Sequence, residues 1–188
     1  MKIHRLRDPI HGLISFDGTD EKSVDALAWK LIDCREFQRL RRIKQLGVSE
    51  LVFPGATHTR FAHSIGVFHN ARRLMPVVRN EEAHFDEPRA HVALVAALLH
   101  DLGHGPFSHA FENAREKIAE SRGLKFLDNH EAFSGRIIRN EDGEIWKRIV
   151  HHFDESFAEA VAAMIQAENP TDIYHAVVSS SFDADRLD

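Results

Sequence analysis

Thiols are nearly missing from this chain. Cys34 is the single cysteine among 188 residues, so no disulfide can form within it, and a closed zinc site built from several thiolates is excluded. Long apolar runs are missing as well: the longest, Val92 to Leu99, has eight residues, against the roughly 20 that a membrane-spanning helix needs. The charged stretch from Met1 to Asp8 holds no signal-peptide apolar core, and a lone cysteine suits a reducing compartment. A cytoplasmic location with no membrane partner is therefore expected. Positive charge is in deficit, with a formal net charge of -5, which argues against a duplex-DNA surface held by phosphate neutralisation. Internal repeats, low-complexity runs and linkers rich in Gly, Ser or Pro are also lacking, so residues 1–188 read as one domain.

What is present is a globular balance, 43% hydrophobic and 28% charged, in a chain long enough to bury roughly two thirds of its unfolded surface. Ile10 to Phe16 followed by Asp17-Gly18 resembles a strand entering a tight turn, the start of a short N-terminal β-hairpin. Beyond it the periodicity is helical. Val24, Leu27 and Leu31, then Phe37, Leu40 and Ile43, predict two short helices before Gly47. Thr59 can cap a helix carrying Phe61, Ile65 and Phe68 on one stripe. Asp86 and Pro88 open another, whose stretch from Ala90 to Leu99 is apolar almost all round and so predicts a central, buried helix. Gly103, Gly105 and Pro106 break that helix, and Ser108 can cap the next. Later helices are predicted over 130–139, 144–152 and 154–167, with Thr171 and Phe182 opening two more. The expected fold class is all-α.

Histidine is the compositional outlier, with 14 residues, and it is the commonest metal ligand among side chains. His100-Asp101 follows directly on the most apolar helix, where an unpaired carboxylate costs several kcal/mol unless something satisfies it. Adjacent helical residues project about 100 degrees apart, so one ion at the helix end can accept both, completed from other helices. His63 is a candidate, three residues after Arg60 and so able to share a face with a phosphate-binding guanidinium. Asp185 is another, on the polar-flanked segment from Ser179 to Asp188. Two imidazoles and two carboxylates suit Mn, Fe, Zn or Mg with open positions for water and substrate. The bland alternative for His63 alone is a hydrogen-bonded core histidine. For the 100–109 run it is a tight helix-helix turn, although three imidazoles among glycines let backbone approach a ligand closely.

Several motifs resemble the HD superfamily, and most closely its deoxynucleoside triphosphate triphosphohydrolases, over nearly the whole chain. They are Asp8-Pro9-Ile10-His11-Gly12, Phe37-Gln38-Arg39-Leu40-Arg41, Ile43-Lys44-Gln45-Leu46-Gly47, Phe53-Pro54-Gly55-Ala56, Arg60-Phe61-Ala62-His63-Ser64, the 100–109 run, and Asp183-Ala184-Asp185-Arg186-Leu187-Asp188. The resemblance implies an HD-domain helical bundle in which His63, His100, Asp101 and Asp185 bind one divalent metal ion (Mn, Fe, Zn, Ni or Mg). It places His104 and His130 in catalysis near the α-phosphate, with Glu112 standing where the family commonly has an Asp. It assigns Arg60, His109 and Arg186 to substrate phosphates, with Arg186 where some members use Lys, and Gln45 and Leu46 to the sugar edge. Asp33, Gln38 and Arg41 match positions that hold a guanine nucleotide, dGTP or GTP, promoting assembly of a homo-oligomer. The family motif runs on past the residue matching Asp188 through a Tyr and an Arg-Asp pair, so the chain is expected to be an N-terminal portion of a longer architecture.

The expected activity is hydrolysis of a deoxynucleoside triphosphate to deoxynucleoside and inorganic triphosphate, by attack of metal-activated water on the α-phosphorus. One rival is an HD phosphohydrolase acting on nucleoside monophosphates or cyclic dinucleotides, the latter disfavoured because no Gly-Tyr-Pro signature is present. The other is a binding module holding nucleotide or single-stranded nucleic acid without turnover.

Overall fold

The computed structural model describes residues 2–124 and 129–188. Two antiparallel strands, β1 (Ile3–Asp8) and β2 (Gly12–Asp17), form an N-terminal hairpin in which Ile3 faces Asp17 and Asp8 faces Gly12. The reversal lies at Pro9–His11, before the place predicted. Asp8 Oδ1 accepts the Ile10 and His11 amides at 2.8 and 2.9 Å, an Asx turn, and Gly12 takes φ +74° to re-enter the sheet. Asp17-Gly18 instead leads away from the hairpin: Asp17 Oδ1 accepts the Thr19 amide, and Ser23 then caps a helix.

Helices account for most of the rest. α1 (Val24–Ile32) is followed by α2 (Arg35–Gln38), which tightens into a 3-10 turn over Arg39–Arg42. The second predicted helix is thus short and changes pitch halfway. α3 (Arg60–Glu81) and α4 (Glu87–Leu99) start where Thr59 and Asp86 were expected to cap, each side chain accepting the amide three residues on. The order continues with α5 (His109–Ser121), α6 (His130–Ile138), α7 (Glu144–His152), α8 (Glu155–Gln166) and α9 (Ile173–Val178). α4 is the central helix: Val92, Ala93 and Val95 to Leu99 are buried, and α1, α3, α8 and α9 pack around it. Among the described residues, no helix is long and apolar enough to cross a membrane.

Two predicted starts differ. Ser108 precedes α5 but does not cap it, because its hydroxyl donates to Lys44 O at 3.1 Å and accepts from Arg60 Nε at 2.9 Å. Phe182 opens no helix. The buried Asp183 carboxylate accepts the Ser180 and Arg186 amides at 2.7 and 2.8 Å, closing a tight turn that holds Asp185 at its tip.

Candidate metal and acid-base site

Three chain segments meet at the C-terminal end of α4. His63 lies in the first turn of α3, His100 and Asp101 in a 3-10 turn (His100–Gly103) that ends α4, and Asp185 in the turn after α9. His63 Nε2 is 2.7 Å from Asp185 Oδ1, and His100 Nε2 is 3.8 Å from the same oxygen. Asp101 adds Oδ1 at 3.3 Å from His100 Nε2 and Oδ2 at 3.9 Å from His63 Nε2. Ligand atoms of His63, His100 and Asp185 all lie within 4.8 Å of one another. His100 donates Nδ1–H to the Ala97 carbonyl at 2.9 Å, so Nε2 carries the lone pair. That nitrogen is buried with no hydrogen-bond partner among the described residues. An orphaned acceptor facing two carboxylates and a second imidazole is what a divalent cation would satisfy, and the donor set fits one.

The charges agree. Burial opposes a charge on His63, yet its bonds to Asp185 and Asp188 outweigh that and push it up to about 9. Burial likewise opposes ionisation of Asp101, but His100, His104 and Arg60 hold its carboxyl well below the usual carboxylate range. His63 holds Asp185 below it too.

A second group adjoins the first. His104, 1% exposed, presents Nε2 at 3.3 Å from Asp101 Oδ1 and stacks on His130, with ring centroids 3.9 Å apart and planes 18° from parallel. Glu112 joins the cluster through Oε1 to His130 Nδ1 at 3.0 Å and Oε2 to His109 Nδ1 at 3.1 Å. Its longer side chain, where an Asp was the expected pattern, therefore still reaches His130. Burial drives His104 down to about 4; burial opposes ionisation of Glu112, but His130 and the other imidazoles draw it below its ordinary value. His104, His109, Glu112 and His130 are close enough to surround an ion. The near-parallel stacking nevertheless points the in-plane lone pairs of His104 and His130 side by side, which suits proton handling better than shared coordination. Phe107 and Ser108 both take positive φ, +64° and +51°, a strained pair that turns the chain from the metal ligands toward α5.

The remaining candidates surround this centre. Arg60 is buried, with Nη1 2.5 Å from Asp101 Oδ2 and Nη2 3.4 Å from Gln45 O. Gln45 is thereby held beside it, and Leu46 is half-exposed on the same turn. His109 and Arg186 have side chains 66% and 68% exposed. A cleft of about 190 Å³ opens beside His100, His130 and Asp185, walled by Glu131, Gln166 and Ser179. Asp33 ends α1, Gln38 ends α2 and Arg41 lies in the 3-10 turn that follows: Gln38 donates to Ile32 O, Arg41 donates to Gln38 Oε1, and the Arg41 guanidinium lies 3.5 Å from the Phe61 ring centre.

Four residues with a part in the site had no role from the sequence. Asp188 binds His63 Nδ1 at 2.8 Å and His11 Nε2 at 2.7 Å. Arg39 donates to the carbonyls of His104 and Leu102, tying the 3-10 turn down. Ser134 accepts the Gly103 amide and donates to His100 O. His11, Arg39 and Asp188 all lie inside the recurrent motifs, which was the available signal; Ser134 carried none.

Residues 60–188, which include all four expected metal ligands, match the HD domain family. The uncharacterized protein YwfO of Bacillus subtilis is 39% identical over 185 residues, 97% of this chain and 38% of its own length. The deoxynucleoside triphosphate triphosphohydrolase SAMHD1 homolog of Dictyostelium discoideum is 33% identical over 194 residues, 97% of this chain and 34% of its own. A solved structure titled as a phosphohydrolase from Bacteroides thetaiotaomicron superposes with TM-score 0.71 at 29% identity, covering 98% of this chain and 40% of that one. The chain thus spans about two fifths or less of the length of these relatives. With more than half of its residues matched to that family, the chain belongs to the HD domain family.

Proposed function

We propose that this chain carries the catalytic centre of a metal-dependent phosphohydrolase that cleaves deoxynucleoside triphosphates to deoxynucleoside and inorganic triphosphate. One observation carries the reading: Asp101 Oδ1 stands 3.3 Å from both His100 Nε2 and His104 Nε2. A cation-binding group and an acid-base group therefore share one carboxylate at one cleft. The names of the Dictyostelium and Bacteroides proteins support the reaction class.

His63, His100, Asp101 and Asp185 would hold one divalent ion, Mn, Fe, Zn, Ni or Mg, which when bound supplies Lewis acidity and lowers the pKa of water. Asp101 is kept ionised by His100, His104 and Arg60. His130 lines the cleft with its Nδ1 on Glu112, and in this reading it would pass a proton to the departing 5'-oxygen, a contribution typically of ~10²- to 10⁴-fold. His104, kept neutral by burial, backs His130 by stacking. His109 and Arg186 offer exposed donors for the phosphate tail. Arg60 would reach a phosphate through Nη2 while Nη1 stays on Asp101, and Gln45 and Leu46 form the sugar side. Asp33, Gln38 and Arg41 would take a guanine nucleotide that promotes a homo-oligomer.

Chromatography of dGTP incubated with the protein and Mn tests the reading. Deoxyguanosine with triphosphate is the expected outcome. Turnover of a nucleoside monophosphate instead would move the substrate within the phosphohydrolase class, and binding without product would leave a nucleotide-binding module.

A further inference from the structure

The first motif of the chain, Asp8 to Gly12, lies outside the lining of the cleft, yet the fold brings it to the back of the proposed metal ligand His63. Asp8 builds the Asx turn that presents His11. His11 Nε2 is 2.7 Å from Asp188 Oδ1, and Asp188 Oδ2 is 2.8 Å from His63 Nδ1. An ionised carboxylate has acceptors only, so both imidazole nitrogens that face it must be donors. His63 therefore keeps a proton on Nδ1, and Nε2, 2.7 Å from Asp185 Oδ1, is the nitrogen that would exchange its proton for a cation. α3 leaves room for this carboxylate at Gly66: a Cβ there would stand 1.9 Å from Asp188 Oδ1.

We propose that Asp188, anchored by His11 of the hairpin turn, is a positioning residue that fixes the tautomer and ring orientation of His63 for metal binding. The proposal rests on the metal reading above. It assigns the hairpin a role: the turn at Asp8 to Gly12 buttresses the metal centre from outside, through one carboxylate. Carboxylate-histidine-metal triads of this kind tune affinity through a residue that never meets the ion. In Asp188→Asn one of the two acceptors becomes an amide donor, so one imidazole faces a donor and loses its bond. His11→Phe keeps a ring in place but removes the anchor, whereas His11→Gln can still donate.

The test is calorimetric titration of the metal-free 188-residue chain with Zn(II) and Mn(II), alongside thermal unfolding with chelator present. Asp188→Asn should weaken metal binding about 10- to 100-fold. His11→Phe should do so less, and His11→Gln should recover most of the loss. In Zn-loaded wild type, nitrogen-15 correlation spectra should show His63 protonated at Nδ1. Should Asp188→Asn fail to fold, Gly66→Ala and His11→Phe displace or release the same carboxylate without altering it. Wild-type affinity in Asp188→Asn, or in both of the other variants, would overturn the positioning role alone. A wild-type chain that takes up neither metal would overturn the metal reading itself and this inference with it.

Discussion

His100 concentrates the chemistry in one atom. Its Nε2 is buried without a hydrogen bond among the described residues, while Nδ1 is committed to Ala97 O. His100→Ala is accordingly expected to abolish metal uptake, a loss beyond the ~10- to 100-fold typical of a partner outside the coordination sphere. Turnover should vanish with it; metal analysis of the purified variant beside a product assay checks both. Glu112 sets the other half of the site, since one carboxylate accepts from His109 and His130 together. An amide cannot accept at both ends, so Glu112→Gln should lower kcat by ~10²- to 10⁴-fold, the range of a general acid-base contribution. Glu112→Asp, which keeps both acceptors, should lose less. Steady-state kinetics at saturating substrate separates the two.

At the scale of elements, the site depends on how closely α6 packs on the turn that ends α4. A Cβ on Gly103 would stand 1.9 Å from His130 O and 2.6 Å from Ser134 N, both backbone atoms that cannot swing aside. Gly103→Ala should push α6 away, at a cost of ~1–3 kcal/mol or more, and part His130 from His104. Ser134→Ala removes the acceptor of the Gly103 amide and the donor to His100 O. Leaving those buried groups unpaired costs about 1–3 kcal/mol, readable as a lower urea midpoint. Neither variant touches a ligand atom, so any loss of activity they bring reports geometry. The helices themselves were legible because local rules decide them: Thr59 and Asp86 cap α3 and α4, and α7 runs from Glu144 to His152 as its periodicity predicts. The hairpin turn, Ser108 and Phe182 were misread because each depends on a side chain spent elsewhere. Asp8 binds amides two and three residues on, Ser108 serves Arg60 and Lys44, and Asp183 folds its own segment into a turn.

The whole molecule should show opposing pH limbs when chelator keeps it free of metal. His104 falls to about 4 on folding, so unfolding takes up a proton below the unfolded value of about 6.5, and stability declines as pH drops from there through about 4. His63 rises to about 9, so its contribution is complete below about 6.5 and is lost as pH climbs through about 9. Urea unfolding of the metal-free chain should therefore give a maximum near neutrality. His63→Ala should flatten the alkaline limb and His104→Ala the acid one. Metal binding must displace the His63 proton, so affinity should increase as pH rises toward 9, measurable by titration at several pH values.

Composition and spacing determined by themselves that the chain is helical, that α4 is its buried centre and that His100-Asp101 at its end needed a partner, because burial preference, capping and periodicity act over a few residues; His63 and Asp185 were candidates that the family resemblance joined to that pair. Only the tertiary structure decided that Arg60 and Asp101 pair, that His104 and His130 stack, and that Asp188 links His63 to His11 of the hairpin, far from it in sequence. Such contacts join segments whose meeting depends on how every helix packs, and no local pattern encodes which buried carboxylate will find which imidazole.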